Sequence, residues 1–157
     1  MEAILNREIP ISRTQTKVIG VVIFIILTTL GAFVRIPLPF TPVPITLQTL
    51  FVLLGGAFLG ARLGSFAQLS YILLGVLGIP VFCNAGFGMI YILGPTGGYL
   101  LGFIFASLFI GRFIKYAGDN LFYIFVMFCL ADFMLLITGT LWLKSAINCS
   151  LNKALFI

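Results

Sequence analysis

Between Lys17 and Arg35 the chain carries no charged residue, and from Leu63 to Gly111 it again carries none. A helix needs about 20 mostly apolar residues to cross the hydrocarbon core of a bilayer, with a range of about 17 to 25. Scanned between charges and Gly/Pro clusters, the sequence offers five runs near that length: residues 18–34, 45–59, 63–77, 99–110 and 121–143. The fourth borrows Gly97 and Gly98. Composition separates a lipid-facing bundle from an unusually oily soluble core. Hydrophobic residues make up 61% of the chain and charged residues 8%, against roughly 25% charged in soluble domains, so there is too little polar surface to cover a globule in water. The expectation is an all-α integral membrane protein forming one bundle over residues 1–157, with no repeat or linker dividing it.

Proline and glycine punctuate these runs. Pro37, Pro39, Pro42 and Pro44 fall within residues 36–44, where each fixes its own φ and pushes its predecessor toward extended backbone, so this stretch cannot be helical. Residues 78–98 hold a second Gly/Pro-rich segment. Gly60-Ala61-Arg62 reads as a turn between the second and third runs, both of which are short for a full crossing and suggest a tilted, thinned or partly re-entrant arrangement.

The segment 1–17 carries Glu2, Arg7, Glu8, Arg13 and Lys17 and leads into a run without a small-residue cleavage site, so it reads as a retained cytoplasmic end. With that orientation six Lys/Arg residues (Arg7, Arg13, Lys17, Arg62, Arg112 and Lys115) lie inside, and Arg35, Lys144 and Lys153 lie outside, which agrees with the positive-inside rule. Both broken segments then share the outer face, where together they could enclose a pocket.

Several function classes are poorly served. The chain has no histidine, and its four acids are Glu2, Glu8, Asp119 and Asp132, which leaves little for acid–base catalysis or metal binding. Neither a catalytic residue nor a cofactor or metal site is expected. Cys83, Cys129 and Cys149 show no Cys-x-x-Cys spacing and read as small buried hydrophobes. No basic run with interleaved aromatics supports nucleic-acid binding. Gly94-Pro95-Thr96-Gly97-Gly98 lacks the Lys-Ser/Thr ending of a phosphate loop.

Three ordered stretches are more specific: residues 36–50 (IPLPFTPVPITLQTL), 55–64 (GGAFLGARLG) and 94–103 (GPTGGYLLGF), with Gly78-Ile79-Pro80-Val81-Phe82 between the last two. Their order over about half of the chain resembles the BioY family, the biotin-specific S component of energy-coupling-factor (ECF) transporters. The resemblance implies a six-helix bundle in a bacterial cytoplasmic membrane. Such a bundle captures biotin at its outer face and docks on a membrane coupling subunit driven by two cytoplasmic ATPases. It also implies a first loop acting as a lid, here Pro37, Pro39, Phe40, Pro42 and Pro44. A proline-stiffened loop loses little entropy when it closes over a ligand.

The candidate substrate-binding residues are Asn84, Thr41, Thr46, Gln48, Tyr99 and Asp132. Hydroxyl and amide groups at Thr41, Thr46, Gln48 and Thr49 suit the one acceptor and two N–H donors of biotin's ureido ring. The other reading of Thr46 is an N-cap of the second span. Asn84, a polar contact by the resemblance, could equally be a turn residue bonding its own backbone. Phe82, Phe87, Tyr91 and Tyr99 could pack on the bicyclic ring. Asp132, placed mid-span, is a functional candidate because a carboxylate at that depth is costly unless it faces the bundle interior. A bond to a neighbouring helix or contact with another subunit would explain it too.

Three departures from the family pattern accompany the match. The Ala-x-x-x-Ala docking pattern of the first helix has its nearest counterpart in Thr28 and Ala32. Leu136 stands where the family's Tyr-x-x-Gly-x-x-Trp-Leu pattern has tyrosine, before Gly139, Trp142 and Leu143. The sixth helix with its Gly-Asp-x-x-Lys opening is not reached: residues 154–157 read as the start of an incomplete last helix. The expected function is a membrane subunit that captures biotin for ATP-driven import; the alternatives are a non-binding remnant of the family or a secondary carrier.

Overall fold

The computed structural model describes residues 12–39, 43–118 and 120–147, without the side chains of Ala146 and Ile147. Phe40, Thr41 and Pro42 of the lid, most of segment 1–17 and residues 154–157 lie outside the described residues. Helix α1 spans Arg13–Phe33. It starts at a capping box in which Ser12 Oγ accepts from the Gln15 amide at 3.3 Å while the Ser12 amide donates to Gln15 Oε1 at 2.8 Å. These bonds satisfy two amides that a helix N-terminus otherwise leaves without partners.

Past Phe33 the prolines impose extended backbone, and the chain leaves as β1 (Arg35–Ile36), which pairs antiparallel with β2 (Ile45–Thr46) in the register Arg35↔Thr46 and Ile36↔Ile45. The Leu47 amide adds a bond to Val34 O at 3.0 Å. The proline-rich stretch is therefore a hairpin whose two ends are clamped together.

Helix α2, Gln48–Val76, has one interior residue outside helical geometry: Gly60, at φ 78° and ψ 170°. A straight helix would separate residues 48 and 71 by about 35 Å, yet Gln48 Nε2 donates to the Tyr71 hydroxyl at 2.6 Å. The chain reverses at Gly60, the turn expected there, and α2 is a helical hairpin with arms 48–59 and 61–76. At 1.5 Å per residue these arms are about 18 and 24 Å long, both short of a hydrocarbon core of about 30 Å. Glycine serves the turn because side-chain-bearing residues rarely adopt positive φ.

After α2 come a 3-10 turn at Cys83–Ala85, the short helix α3 (Met89–Leu93), α4 (Gly97–Phe113), a second 3-10 turn at Ile114–Tyr116, and α5 (Leu121–Ile147). Among the described residues four helices are long and apolar enough to cross a membrane, so with α2 doubled back five described segments run along the bundle. Helix α1 packs on α2, α2 on α4, and α4 on α5, while α5 barely meets α2. Helix α4 is the axis: Leu100, Phe103, Ala106 and Ile110 are all buried along one face, the spacing of a helical stripe. The outer surface is lined by exposed Ile, Leu and Phe side chains on every long helix, as lipid contact requires. This is a multi-pass membrane protein.

Candidate ligand-binding site

At the end of the bundle where the proline hairpin and the Gly/Pro-rich segment meet, the helices enclose a cavity of about 600 Å³, within the usual range for small-molecule sites. Leu38, Val43, Pro44, Ile45 and Thr46 line it from the hairpin, and Gln48 and Thr49 from the start of α2. Phe82, Cys83, Tyr91 and Thr96 come from the Gly/Pro-rich segment, Tyr99, Leu100 and Phe103 from α4, and Asp132, Leu135 and Leu136 from α5. The two broken segments meet at one pocket.

Aromatic packing builds one wall. The Phe82 ring stacks on Tyr91 with centroids 4.8 Å apart and meets the edge of Tyr71 at 5.5 Å. A Cβ at Gly75 would overlap the Phe82 ring, so a glycine on the second arm of α2 is what lets this ring sit fully buried. Trp142 of α5 braces the turn that follows α3: its Nε1 donates to Gly94 O at 3.0 Å and its side chain lies against Gly98. That bond fixes the Gly94–Thr96 turn to α5. A Cβ at Gly139 would overlap the Tyr99 ring, so α5 can approach there only without a side chain.

The polar groups are few. Gln48 donates to the Tyr71 hydroxyl at 2.6 Å and accepts a long 3.4 Å contact from Thr46 Oγ1; Tyr71 donates onward to Val81 O at 3.0 Å. Asp132 is the one acid among the described residues and has no hydrogen-bond or ion-pair partner there. No lysine or arginine lines the cavity among the described residues. Arg35 stands beside it: it is paired with Thr46 on the hairpin ladder and interacts electrostatically with Cys83 and Tyr91. Burial pushes the Cys83 thiol up, with Arg35 pulling the other way, so this cysteine stays a protonated, unreactive wall residue. No group of three or more potential metal ligands exists among the described residues.

The BioY family profile matches residues 6–157. The chain belongs to the BioY family. Among its relatives, the probable biotin transporter BioY of Lysinibacillus sphaericus is 47% identical over 102 residues, covering 65% of this chain and 50% of that protein. The biotin transporter BioY of Thermotoga maritima is 48% identical over 89 residues, 57% of this chain and 52% of that one. The probable biotin transporter BioY of Rickettsia prowazekii aligns over 97% of this chain and 78% of its own length at 28% identity. A crystal structure of the S-component for biotin from an ECF-type ABC transporter superposes with a TM-score of 0.85 over 92% of this chain and 80% of that one, at 26% identity. The chain spans about half the length of the first two relatives.

Against this BioY frame, the candidate residues divide. Thr46, Gln48, Tyr99, Asp132 and Pro44 line the cavity, together with Thr49, Phe82 and Tyr91. Pro37 and Pro39 are exposed on the hairpin and off the cavity wall; Phe40, Thr41 and Pro42 are outside the described residues. Thr46 is not an N-cap: α2 begins after Leu47 without a side-chain cap, and Thr46 belongs to β2. Asn84 does not line the cavity. It is exposed, at φ 62° inside the tight turn closed by the Phe82–Gly86 bridge. Its place in a turn fits its left-handed backbone, which asparagine tolerates better than most residues, but its side chain makes no bond to its own backbone among the described residues. Phe87 is exposed as well.

Thr28 and Ala32 are fully buried in the bundle. Thr28 donates to Phe24 O at 2.7 Å and accepts from Gln68 Nε2 at 3.4 Å, so in this conformation neither residue offers a surface to a partner. Thr96, Leu135 and Leu136 went unnoticed as wall residues. Leu135 and Leu136 lie three and four positions beyond Asp132, which puts them on its helix face, a signal available once Asp132 was singled out. Thr96 lies in the Gly94–Gly98 stretch, where nothing in the local sequence marks its hydroxyl as part of a cavity wall.

Proposed function

We propose that this chain is the substrate-binding subunit of an ECF-type biotin importer. The observation that carries the reading is the cavity itself: an aromatic and aliphatic enclosure with a small set of neutral hydroxyl and amide groups and one carboxylate, closed by two loops at one end of a membrane bundle. Biotin's bicyclic ring suits the Phe82, Tyr91 and Tyr99 walls. Its ureido N–H groups suit Gln48 and Asp132, which accept, and its carbonyl suits the hydroxyls of Thr46, Thr49 and Thr96. Its carboxylate belongs at the mouth, on the side of Arg35 and away from Asp132, because like charges in a poorly hydrated site repel strongly.

The cavity faces outward in this reading. Gly111 packs against Gly60 and Ala61 at the far end, which gathers Arg62, Arg112 and Lys115 there, with Arg13 and Lys17 at the start of α1. Those cations belong on the cytoplasmic side of a bacterial inner membrane, with the N-terminus inside. The end that holds them is also where a coupling subunit and its two ATPases would engage.

The test is equilibrium binding of radiolabelled biotin to the chain in native-like membranes. Saturable binding at micromolar biotin or below, competed by unlabelled biotin, is the expected result. No binding above protein-free membranes at micromolar ligand removes the reading. ATP-dependent accumulation in cells that co-express a coupling module tests the partner assignment separately.

A further inference from the structure

Tyr71 is absent from the cavity wall and fully buried, yet its hydroxyl touches both segments that close the cavity. It donates to Val81 O, in the Gly/Pro-rich segment, at 3.0 Å and accepts from Gln48 Nε2, beside the proline hairpin, at 2.6 Å. A phenol carries a single proton. A backbone carbonyl can only accept, so the bond to Val81 commits that proton. The phenolic oxygen is left able only to accept, and the part of the Gln48 amide that faces it must be the NH2 group.

The consequence reaches the cavity. With its nitrogen held by Tyr71, Gln48 turns its oxygen the other way, where the one described partner is the Thr46 hydroxyl at 3.4 Å. That contact is long for an O–H···O bond, so a ligand donor can displace it at little cost. We infer that Tyr71 is a positioning residue for ligand recognition: it locks the Gln48 amide so that the cavity presents an acceptor, and thereby selects a ligand group that carries N–H donors. Asp132, which as a carboxylate also only accepts, gives the cavity a second group of the same kind. A cyclic urea, with two N–H groups on one ring, matches this polarity; a ligand presenting only acceptors does not.

This inference rests on the reading that biotin occupies the cavity, and the experiment separates the two. Biotin affinity is measured by equilibrium binding for the wild type, Tyr71→Phe, Gln48→Ala and the double variant, with thermal unfolding of each in detergent alongside. Tyr71→Phe keeps the ring edge against Phe82 and removes only the hydroxyl, so the packing is retained and the thermal melt reads out the cost of the two bonds lost. The expected result is roughly tenfold weaker biotin binding for Tyr71→Phe and little further loss when the hydroxyl is removed from the Gln48→Ala protein, because a residue that acts through Gln48 has nothing left to position. A purely structural hydroxyl would weaken binding by the same factor in both backgrounds.

Selectivity gives a second readout. Wild type should discriminate strongly against biotin methylated on a ureido nitrogen, and Tyr71→Phe should discriminate less, because a freed amide no longer insists on a donor. If the wild type binds biotin while Tyr71→Phe binds equally well, or while its loss persists undiminished in the Gln48→Ala background, the positioning role is overturned and the biotin reading stands. If the wild type binds no biotin, both fall.

Discussion

The two ends of the bundle are built on opposite plans. At one end Gly111 lies so close to Gly60 and Ala61 that a Cβ would collide with backbone, and one turn farther in Gly56 presses on the Ser107 carbonyl. There the helices touch through their main chains, and the charged side chains sit at the periphery. At the other end large side chains, Phe82, Tyr91, Tyr99 and Phe103, surround a cavity of about 600 Å³, although α5 still closes on α4 at Gly98 and Gly102. Lipid tails are as apolar as leucine, so helices in a membrane associate through close packing and hydrogen bonds more than through hydrophobic exclusion. The tight end therefore supplies stability, which leaves the wide end free to keep space for a ligand.

Substitutions at the two ends should therefore fail in different assays. Gly111→Leu should be the most damaging, because neither side of the contact is a flexible side chain that can give way. A cost of about 3 kcal/mol or more is expected, read as loss of monodisperse protein and a lower Tm in detergent. A Gly111→Leu protein that melts like the wild type would erase the contrast between the ends. Asp132→Asn should do the reverse. Charge-assisted hydrogen bonds contribute roughly 1.5 to 3 kcal/mol, so biotin affinity should fall about 10- to 100-fold with Tm unchanged or raised.

Asn84 probes the rim. Asn84→Ala should lower stability by about 1 kcal/mol because alanine tolerates left-handed backbone less well, whereas Asn84→Gly should be near neutral, and neither should change biotin affinity by more than about twofold. A large affinity loss in Asn84→Gly with unchanged Tm would extend the site to this turn. The smallest effect is expected at the basic end: Arg112→Gln should move Tm and biotin affinity by no more than about 0.5 kcal/mol each. A clear affinity change there would mean that the two ends communicate.

The lipid-facing character, the crossing segments, the turn at Gly60 and the break at residues 36–44 were legible because each follows from local chemistry. Proline fixes φ wherever it stands, glycine permits the reversal, and an uncharged run of about 20 residues has one comfortable solvent. The meeting of the two broken segments was also foreseeable, since the two crossings between them, separated by the turn at Gly60, bring the chain back to the side it left. Individual roles were less visible. Asn84, a polar contact by the resemblance, stands exposed in a left-handed turn and off the cavity wall, a placement that depends on how residues 82–86 fold and not on its being an amide among glycines. Thr28 and Ala32, the nearest counterpart of the family's docking pattern, are buried in this conformation, where Thr28 meets Gln68 of α2.

What the order of residues dictated was the solvent, the places where helices must stop, and the side of the bundle on which the loops gather, all properties set by single runs and by the number of crossings between breaks. What had to await the packed bundle was the direction in which each polar side chain points. Gln48 and Tyr71 are 23 positions apart and Trp142 and Gly94 are 48 apart, and no local rule pairs them. Their partners are fixed by how helices rotate about their own axes when glycine contacts such as Gly111 with Ala61 set the spacing, and that rotation depends on all the contacting faces at once.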